Sequence, residues 1–300
     1  MRTKRIPILL MVVACTLVVW ARPDWKTVDV DGTQRDYLVD LPSDLTKPCP
    51  LVVVFHGGGG NARQARNSSG FSRLTESGYI LVYPNGIKGH WQVGMTDHPK
   101  YDATVDDSHF ISLLLDKLES EYPVDVNRVY ATGASNGGMM SHLVGITLSD
   151  RFAAIAPMIG GITSEMEKSF PPPNSMPVLI IQGTADPLVP YEGGPVTIGR
   201  KKWGRLLSTE QAAKLWAEHN GCDAPHTDTL PDTVEDECRV ERTTWAGGKN
   251  GSEVVLYKVI GGGHTAPGGM QYLPESVIGI VCRDMDAVDV IESFFRRHQR

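Results

Sequence analysis

Apolar residues along this chain fall into short unbroken runs with amphipathic stretches between them. Leu51–Phe55, Tyr79–Tyr83, Phe152–Ile159 and Val178–Gln182 are the runs, and the β-prone stretches Arg128–Thr132 and Glu253–Ile260 also read as strands. Runs this short, with no polar alternation, predict strands buried on both faces, as in a parallel sheet. Within Asp106–Tyr122, Phe110, Ile111, Leu114, Leu115 and Leu118 recur at helical spacing behind an acidic start that suits a helix N-terminus. Met139–Leu148 is also helix-compatible, and Ser208-Thr-Glu-Gln211 reads as a capping box opening a helix that runs to His219. Asp286–His298 predicts an amphipathic closing helix that buries Val288, Ile291 and Phe295. Before all of these, Trp25–Pro42 reads as strands around a turn at Asp31-Gly32. Strands alternating with helices predict an α/β fold, a mostly parallel sheet with helices on both faces.

The first residues stand outside that pattern. Met1–Arg5 is basic, Ile6–Trp20 is almost wholly apolar, and Val19-Trp20-Ala21 has the small residue of a cleavage site. The apolar run is shorter than the roughly 20 residues of a spanning helix. The expectation is a cleaved signal peptide over 1–21, one catalytic domain over 22–300, a secreted or periplasmic location and no transmembrane segment after cleavage. A lipoprotein box ending at Cys15 is the alternative, but the apolar run continues past it. The formal net charge is −6, which predicts no basic face and no nucleic-acid partner.

Four cysteines lie beyond the leader: Cys49, Cys222, Cys238 and Cys282. An exported chain is compatible with disulfides. Cys222 and Cys238 flank one irregular acidic segment and are the favoured pair; Cys49 with Cys282 is the other possibility, and buried free thiols are the alternative to that. The acidic run Glu235-Asp236-Glu237 reads as a solvated face. No C-x-x-C spacing occurs, so no metal site is expected.

Candidate chemistry sits where the runs end. Gly133-Ala-Ser135-Asn-Gly137 fits the G-x-S-x-G pattern, with a strand before it and a helix after it. That context holds a serine hydroxyl on a strained turn, and the glycines remove side chains that would clash. Ser135 is the predicted nucleophile. His56-Gly-Gly-Gly-Gly60 follows a buried strand. Its glycines, Gly57, Gly58 and Gly59, together with the Asn136 N–H, are the predicted oxyanion donors. His56 reads as a brace for this loop. Asp186 follows the run ending at Gln182 and is the predicted acid, with Asp106 and Asp107 as rivals. His264 lies among glycines just after the last strand and is the predicted base. The order Ser135, Asp186, His264 is the nucleophile–acid–base order of α/β-hydrolases. Trp91, Tyr191 and Tyr272, with Trp203 and Trp245, are candidates either for the substrate cleft or for the core.

His56–Gly60, Tyr130–Met140, Gly183-Thr-Ala-Asp-Pro187 and Gly263-His-Thr-Ala-Pro-Gly-Gly269 resemble the secreted esterases related to polyhydroxybutyrate depolymerases and feruloyl esterases. The placement of Asn220-Gly-Cys222 and Cys238 fits that group as well. The resemblance implies an α/β-hydrolase with Ser135, Asp186 and His264 as its triad, no metal or organic cofactor, and an ester substrate. Many members carry tryptophan after the His-Thr pair, where this chain has Ala266. Feruloyl or acetyl esters of plant polysaccharide are the expected substrates, and polyhydroxyalkanoate oligomers are the alternative. An acyltransferase and a catalytically silent carbohydrate-binding protein on the same fold are more remote readings.

Overall fold

The structure is a computed structural model and describes residues 25–300. The signal-peptide and Cys15 readings lie outside the described residues. In chain order the strands begin with β1 (Lys26–Val30), β2 (Thr33–Asp40) and β3 (Cys49–Phe55), followed by helix α1 (Ala62–Ser68) and β4 (Ile80–Pro84). Then come α2 (Asp107–Glu121), β5 (Val124–Ala134), α3 (Asn136–Thr147), β6 (Ala154–Met158), α4 (Ser164–Glu167) and β7 (Val178–Gly183). The remainder is β8 (Gly194–Ile198), β9 (Lys201–Leu206), α5 (Thr209–Asn220), β10 (His226–Thr229), β11 (Arg239–Trp245), β12 (Val254–Ile260), α6 (Glu275–Ile278) and α7 (Ala287–Phe295).

The large sheet has the order β1-β2-β4-β3-β5-β6-β7-β12-β11-β10. Its centre, from β4 to β12, is parallel, and both flanks are antiparallel. Strand β3 shows why the apolar runs are unbroken. Leu51, Val53 and Phe55 pack into a core with the α2 residues Phe110, Ile111, Leu114, Leu115 and Leu118. Val52 and Val54, pointing the other way, pack into a second core with Val288, Ile291, Phe294 and Phe295 of α7. With a helix layer over each face, neither face of the strand meets water. The capping box of α5 forms as the sequence predicts, with Ser208 and Gln211 exchanging hydrogen bonds.

Two hairpins were not legible in the pattern. The β8–β9 pair forms its own small sheet, and β10–β11 extends the large sheet at its edge. These strands are partly exposed and rich in charged residues and Thr, so no continuous apolar run marks them.

The expected cysteine pairing is overturned. Cys238 precedes β11, whose first residue Arg239 pairs with Ile260 at the end of β12. Cys222 instead lies against Gly248, close to where β12 begins. The length of β12 separates the two, roughly 20 Å at strand rise. Cys49 Sγ lies 3.2 Å from the Lys47 carbonyl oxygen, while Cys282 lies beside Cys238, so the possible pairing of Cys49 with Cys282 does not form either. All four thiols are free in this structure. Asp236 is more than part of a solvated face, because its carboxylate accepts from the N–H groups of Cys238 and Arg283.

Candidate active site

Ser135 stands between β5 and α3 with φ 59° and ψ −122°, a conformation that side chains disfavour. The turn holds because everything around it is small. A Cβ on Gly133 would come within 2.7 Å of the Phe55 carbonyl oxygen, and one on Gly137 would overlap that same oxygen. A Cβ on Gly160 would overlap the Ser135 carbonyl oxygen. The Ser135 N–H donates to the Met158 carbonyl at 3.0 Å, which ties the turn to β6.

Asp186 and His264 follow β7 and β12, which are neighbours in the parallel sheet. Their side chains therefore meet at the C-terminal edge, the edge that also presents Ser135. His264 Nδ1 donates to Asp186 Oδ2 at 2.7 Å. The same oxygen accepts from Gln182 Nε2 at 3.1 Å, while Asp186 Oδ1 accepts from the N–H groups of Leu188 and Val189. With Nδ1 committed to Asp186, Nε2 is the ring nitrogen left for proton transfer. The rival acids are otherwise engaged. Asp106 caps α2, and Asp107 is buried against Arg35 at 2.7 Å. Asp186 and His264 are paired, and no hydrogen bond joins Ser135 to His264.

The glycine loop lies beside the serine. A Cβ on Gly57 would be 3.7 Å from Ser135 Cβ, and one on Gly58 would be 3.6 Å from Asn136 Cβ. The N–H groups of Gly57 and Gly58 have no protein acceptor among the described residues. Asn136 opens α3, so its N–H has no acceptor within the helix. Gly59 differs from the expectation: its N–H donates to the Gly89 carbonyl at 2.8 Å and cannot also serve a substrate. His56 braces this loop. Its Nε2 accepts from Gly86 N–H at 2.9 Å, so the proton sits on Nδ1, which donates to the Gly57 carbonyl at 2.8 Å. Burial holds its pKa below the usual imidazole value.

Two of the aromatic candidates belong to the core. Trp91 is fully buried, and its indole N–H donates to the His56 carbonyl. Asn136 Oδ1 accepts from the Trp91 N–H, and the Trp91 indole holds the His56 carbonyl, so the tryptophan and the glycine loop are one unit. Tyr191 is buried and donates to Glu210. Tyr272 is exposed and donates from its hydroxyl to the His264 carbonyl oxygen at 3.1 Å.

Sequence reasoning missed three contributors. Gln182 orients Asp186, and a lone polar residue in the apolar run 178–183 was the signal for it. His90 and His98 stack with ring centroids 4.0 Å apart, and Trp203 of β9 meets His98 edge-on at 4.7 Å. His90 Nδ1 would be 3.8 Å from a Cβ on Gly58, which puts this stack against the glycine loop. Burial, with His98 beside it, pushes the His90 pKa down to about 4. The β8–β9 hairpin is anchored there by the Gly204 N–H, which donates to Asp97 at 2.7 Å. The one group of metal-capable side chains among the described residues, Asp236, Cys238 and Cys282, includes none of the site residues.

A parallel-centred sheet, a strained serine between strand and helix, and an Asp–His pair on the same edge define an α/β-hydrolase. The BD-FAE family model matches residues 39–170. A putative esterase, NocK, from Nocardia uniformis subsp. tsuyamanensis is 32% identical over 283 residues, covering 90% of this chain and 81% of the relative. Feruloyl esterase B from Piromyces equi is 30% identical over 241 residues, 77% of this chain but only 42% of that longer protein. Among solved structures, an acetyl xylan esterase from Aspergillus awamori superposes with TM-score 0.57 at 19% identity, over 78% of this chain and 92% of its own. A thermostable esterase gives TM-score 0.58 at 17% identity, over 93% and 63%. The chain belongs to the α/β-hydrolase esterases.

Proposed function

We propose that this chain is an exported serine esterase that cleaves feruloyl or acetyl esters of plant polysaccharide through an acyl-enzyme on Ser135. The observation that carries the reading is the Asp186–His264 hydrogen bond at the sheet edge that also holds Ser135 on its strained turn. In this reading a bound ester draws His264 Nε2 and the Ser135 hydroxyl together, since such contacts are commonly long before substrate binds. His264 takes the hydroxyl proton as Ser135 attacks the carbonyl, and Asp186 stabilises the imidazolium. The N–H groups of Gly57, Gly58 and Asn136 receive the developing oxyanion, each contributing roughly 3–4 kcal/mol. The proton then passes to the leaving alcohol, and water repeats the sequence to release the acid.

The substrate class rests on the relatives named as feruloyl and acetylxylan esterases, and on the partly exposed His98–Trp203 face, which offers an aromatic acyl group something to stack on. A polyester depolymerase is the second reading. It is favoured by Met270, Leu273 and Val277, exposed apolar residues that follow closely after His264. The test is hydrolysis of p-nitrophenyl acetate, p-nitrophenyl butyrate and methyl ferulate by the protein and by Ser135→Ala. Ferulate or acetate turnover that the alanine variant loses supports the proposal. Butyrate turnover alone favours the polyester reading, and turnover unchanged by the substitution overturns Ser135 as nucleophile.

A further inference from the structure

Cys238 and Cys282 are both buried, and their sulfurs and an Asp236 carboxylate oxygen all lie within 4.8 Å of one another. The two segments that carry them are laced together on either side of the sulfurs. Asp236 accepts from the N–H groups of Cys238 and Arg283, one carboxylate spanning both chains. Asp284 accepts from the N–H groups of Thr233 and Val234. The backbones are thus held side by side without help from the thiols.

We propose that Cys238 and Cys282 form a disulfide, and that this bond fixes the segment on which the His264 loop rests. That segment presents a row of carbonyl groups to the loop. Gly263 N–H and Thr265 Oγ1 donate to Ile280, His264 N–H donates to Ile278, and Gly268 N–H donates to Cys282. A bridge from Cys282 to Cys238 ties this row to the start of β11 in the large sheet. The bond closes a long loop, the case in which a cross-link most restricts the unfolded chain.

The oxidant is an external disulfide, either of a small thiol or of a dithiol oxidase. One cysteine thiolate attacks it, forming a mixed disulfide and releasing one external thiol. The second cysteine thiolate attacks the protein sulfur of that mixed disulfide and releases the other external thiol. Two protein thiols lose two electrons and two protons, which the external disulfide takes up as two thiols. Burial makes the folded sulfurs poor nucleophiles, so the bond forms before the segment closes and resists reductant afterwards.

The experiment is to refold the full chain, reduced and unfolded, in a buffer of oxidised and reduced glutathione. Free thiols are then alkylated in denaturant and the peptides mapped by mass. The expected result is a linked pair of peptides carrying Cys238 and Cys282, with Cys49 and Cys222 alkylated. A bridge through Cys222 or Cys49, or alkylation of all four, overturns the proposal. So does a zinc ion found bound at Asp236, Cys238 and Cys282 after refolding with zinc present. Cys282→Ser refolded in the same way is expected to melt roughly 5–10 °C below the bridged protein. An equal melting temperature would show that the bond does not hold the segment. The mapping uses no ester substrate and no exported material, so it is decided independently of the proposed activity and location.

Discussion

Asp186 meets His264 at 2.7 Å because β7 and β12 are register-paired neighbours that end at the same edge. Gly183 pairs with Val259, and from there each chain turns to offer one side chain to the other. The turn at Gly183 is tight: a Cβ there would overlap the Gly262 carbonyl oxygen. The Asp186–His264 pair is thus a product of strand order and two glycines, with Gln182 and two backbone N–H groups fixing the carboxylate.

Asp186→Asn tests what this pair contributes. The amide can accept from Leu188 and Val189 as the carboxylate does, so the fold is retained. The side chain no longer stabilises a protonated His264, and its NH2 group favours the wrong imidazole tautomer. We expect kcat to fall by about 10⁴ with little change in KM or melting temperature. A loss below tenfold would place the catalytic acid elsewhere.

Gly137→Ala separates helix propensity from packing. Alanine is favoured over glycine inside a helix by about 1 kcal/mol. At Gly137 the added methyl would overlap the Phe55 carbonyl oxygen, and Phe55 lies at the end of a fully buried strand. We expect a net loss of about 3 kcal/mol or more in urea unfolding. Gly57→Ala is the control, since its Cβ finds its nearest neighbour at 3.4 Å and should fold normally.

Acid sensitivity should arise from histidines held neutral. His142 is completely buried in α3, and its Nδ1 accepts from Trp216 Nε1 at 3.2 Å. Burial pushes its pKa down to about 3, against about 6.5 in an unfolded chain. Between those values the unfolded state binds a proton that the folded state does not. Stability is therefore full above about pH 6.5 and declines as pH falls toward 3. His90, at about 4, acts in the same direction. Glu253, lowered to about 2 by His298 and Arg297, adds a further loss below about pH 4.5. Urea unfolding at pH 7.5, 6 and 5 should show the decline. His142→Leu should flatten it while lowering stability at pH 7.5, because Trp216 loses its acceptor. An unchanged slope would assign the acid sensitivity to other groups.

The central sheet and the triad candidates could be read from the chain because each leaves a dense local mark. Leu51–Phe55 and Val178–Gln182 are apolar on both faces, and Ser135, Asp186 and His264 each follow such a run. What could not be read depends on tertiary approach. Gly59 looks like Gly57 and Gly58 in sequence, and only the fold shows its N–H committed to Gly89. Trp91 looks like a cleft aromatic, yet its N–H holds the His56 carbonyl within the core. The cysteine neighbours depend on which end of β12 each segment reaches, and no spacing in the sequence records that.

The His98–Trp203 face leads to the last prediction. Trp203 sits on a hairpin strand tied to the body through Gly204 and Asp97, and it is partly exposed, so its loss should leave the core intact. An aromatic acyl group stacked there would gain about 0.5–1.5 kcal/mol beyond simple burial. A small acetyl group would gain almost nothing. Trp203→Ala should therefore lower kcat/KM for methyl ferulate by roughly 3–10-fold, mainly through KM, and leave p-nitrophenyl acetate within about twofold. Ferulate and acetate losing activity equally would mean that the hairpin supports the oxyanion loop through His98 and His90 rather than touching the acyl group. In that case any selectivity for an aromatic acyl group must come from elsewhere, and Tyr272, whose hydroxyl donates to the His264 carbonyl, is the residue to replace next: Tyr272→Ala becomes the substitution that separates the two esters.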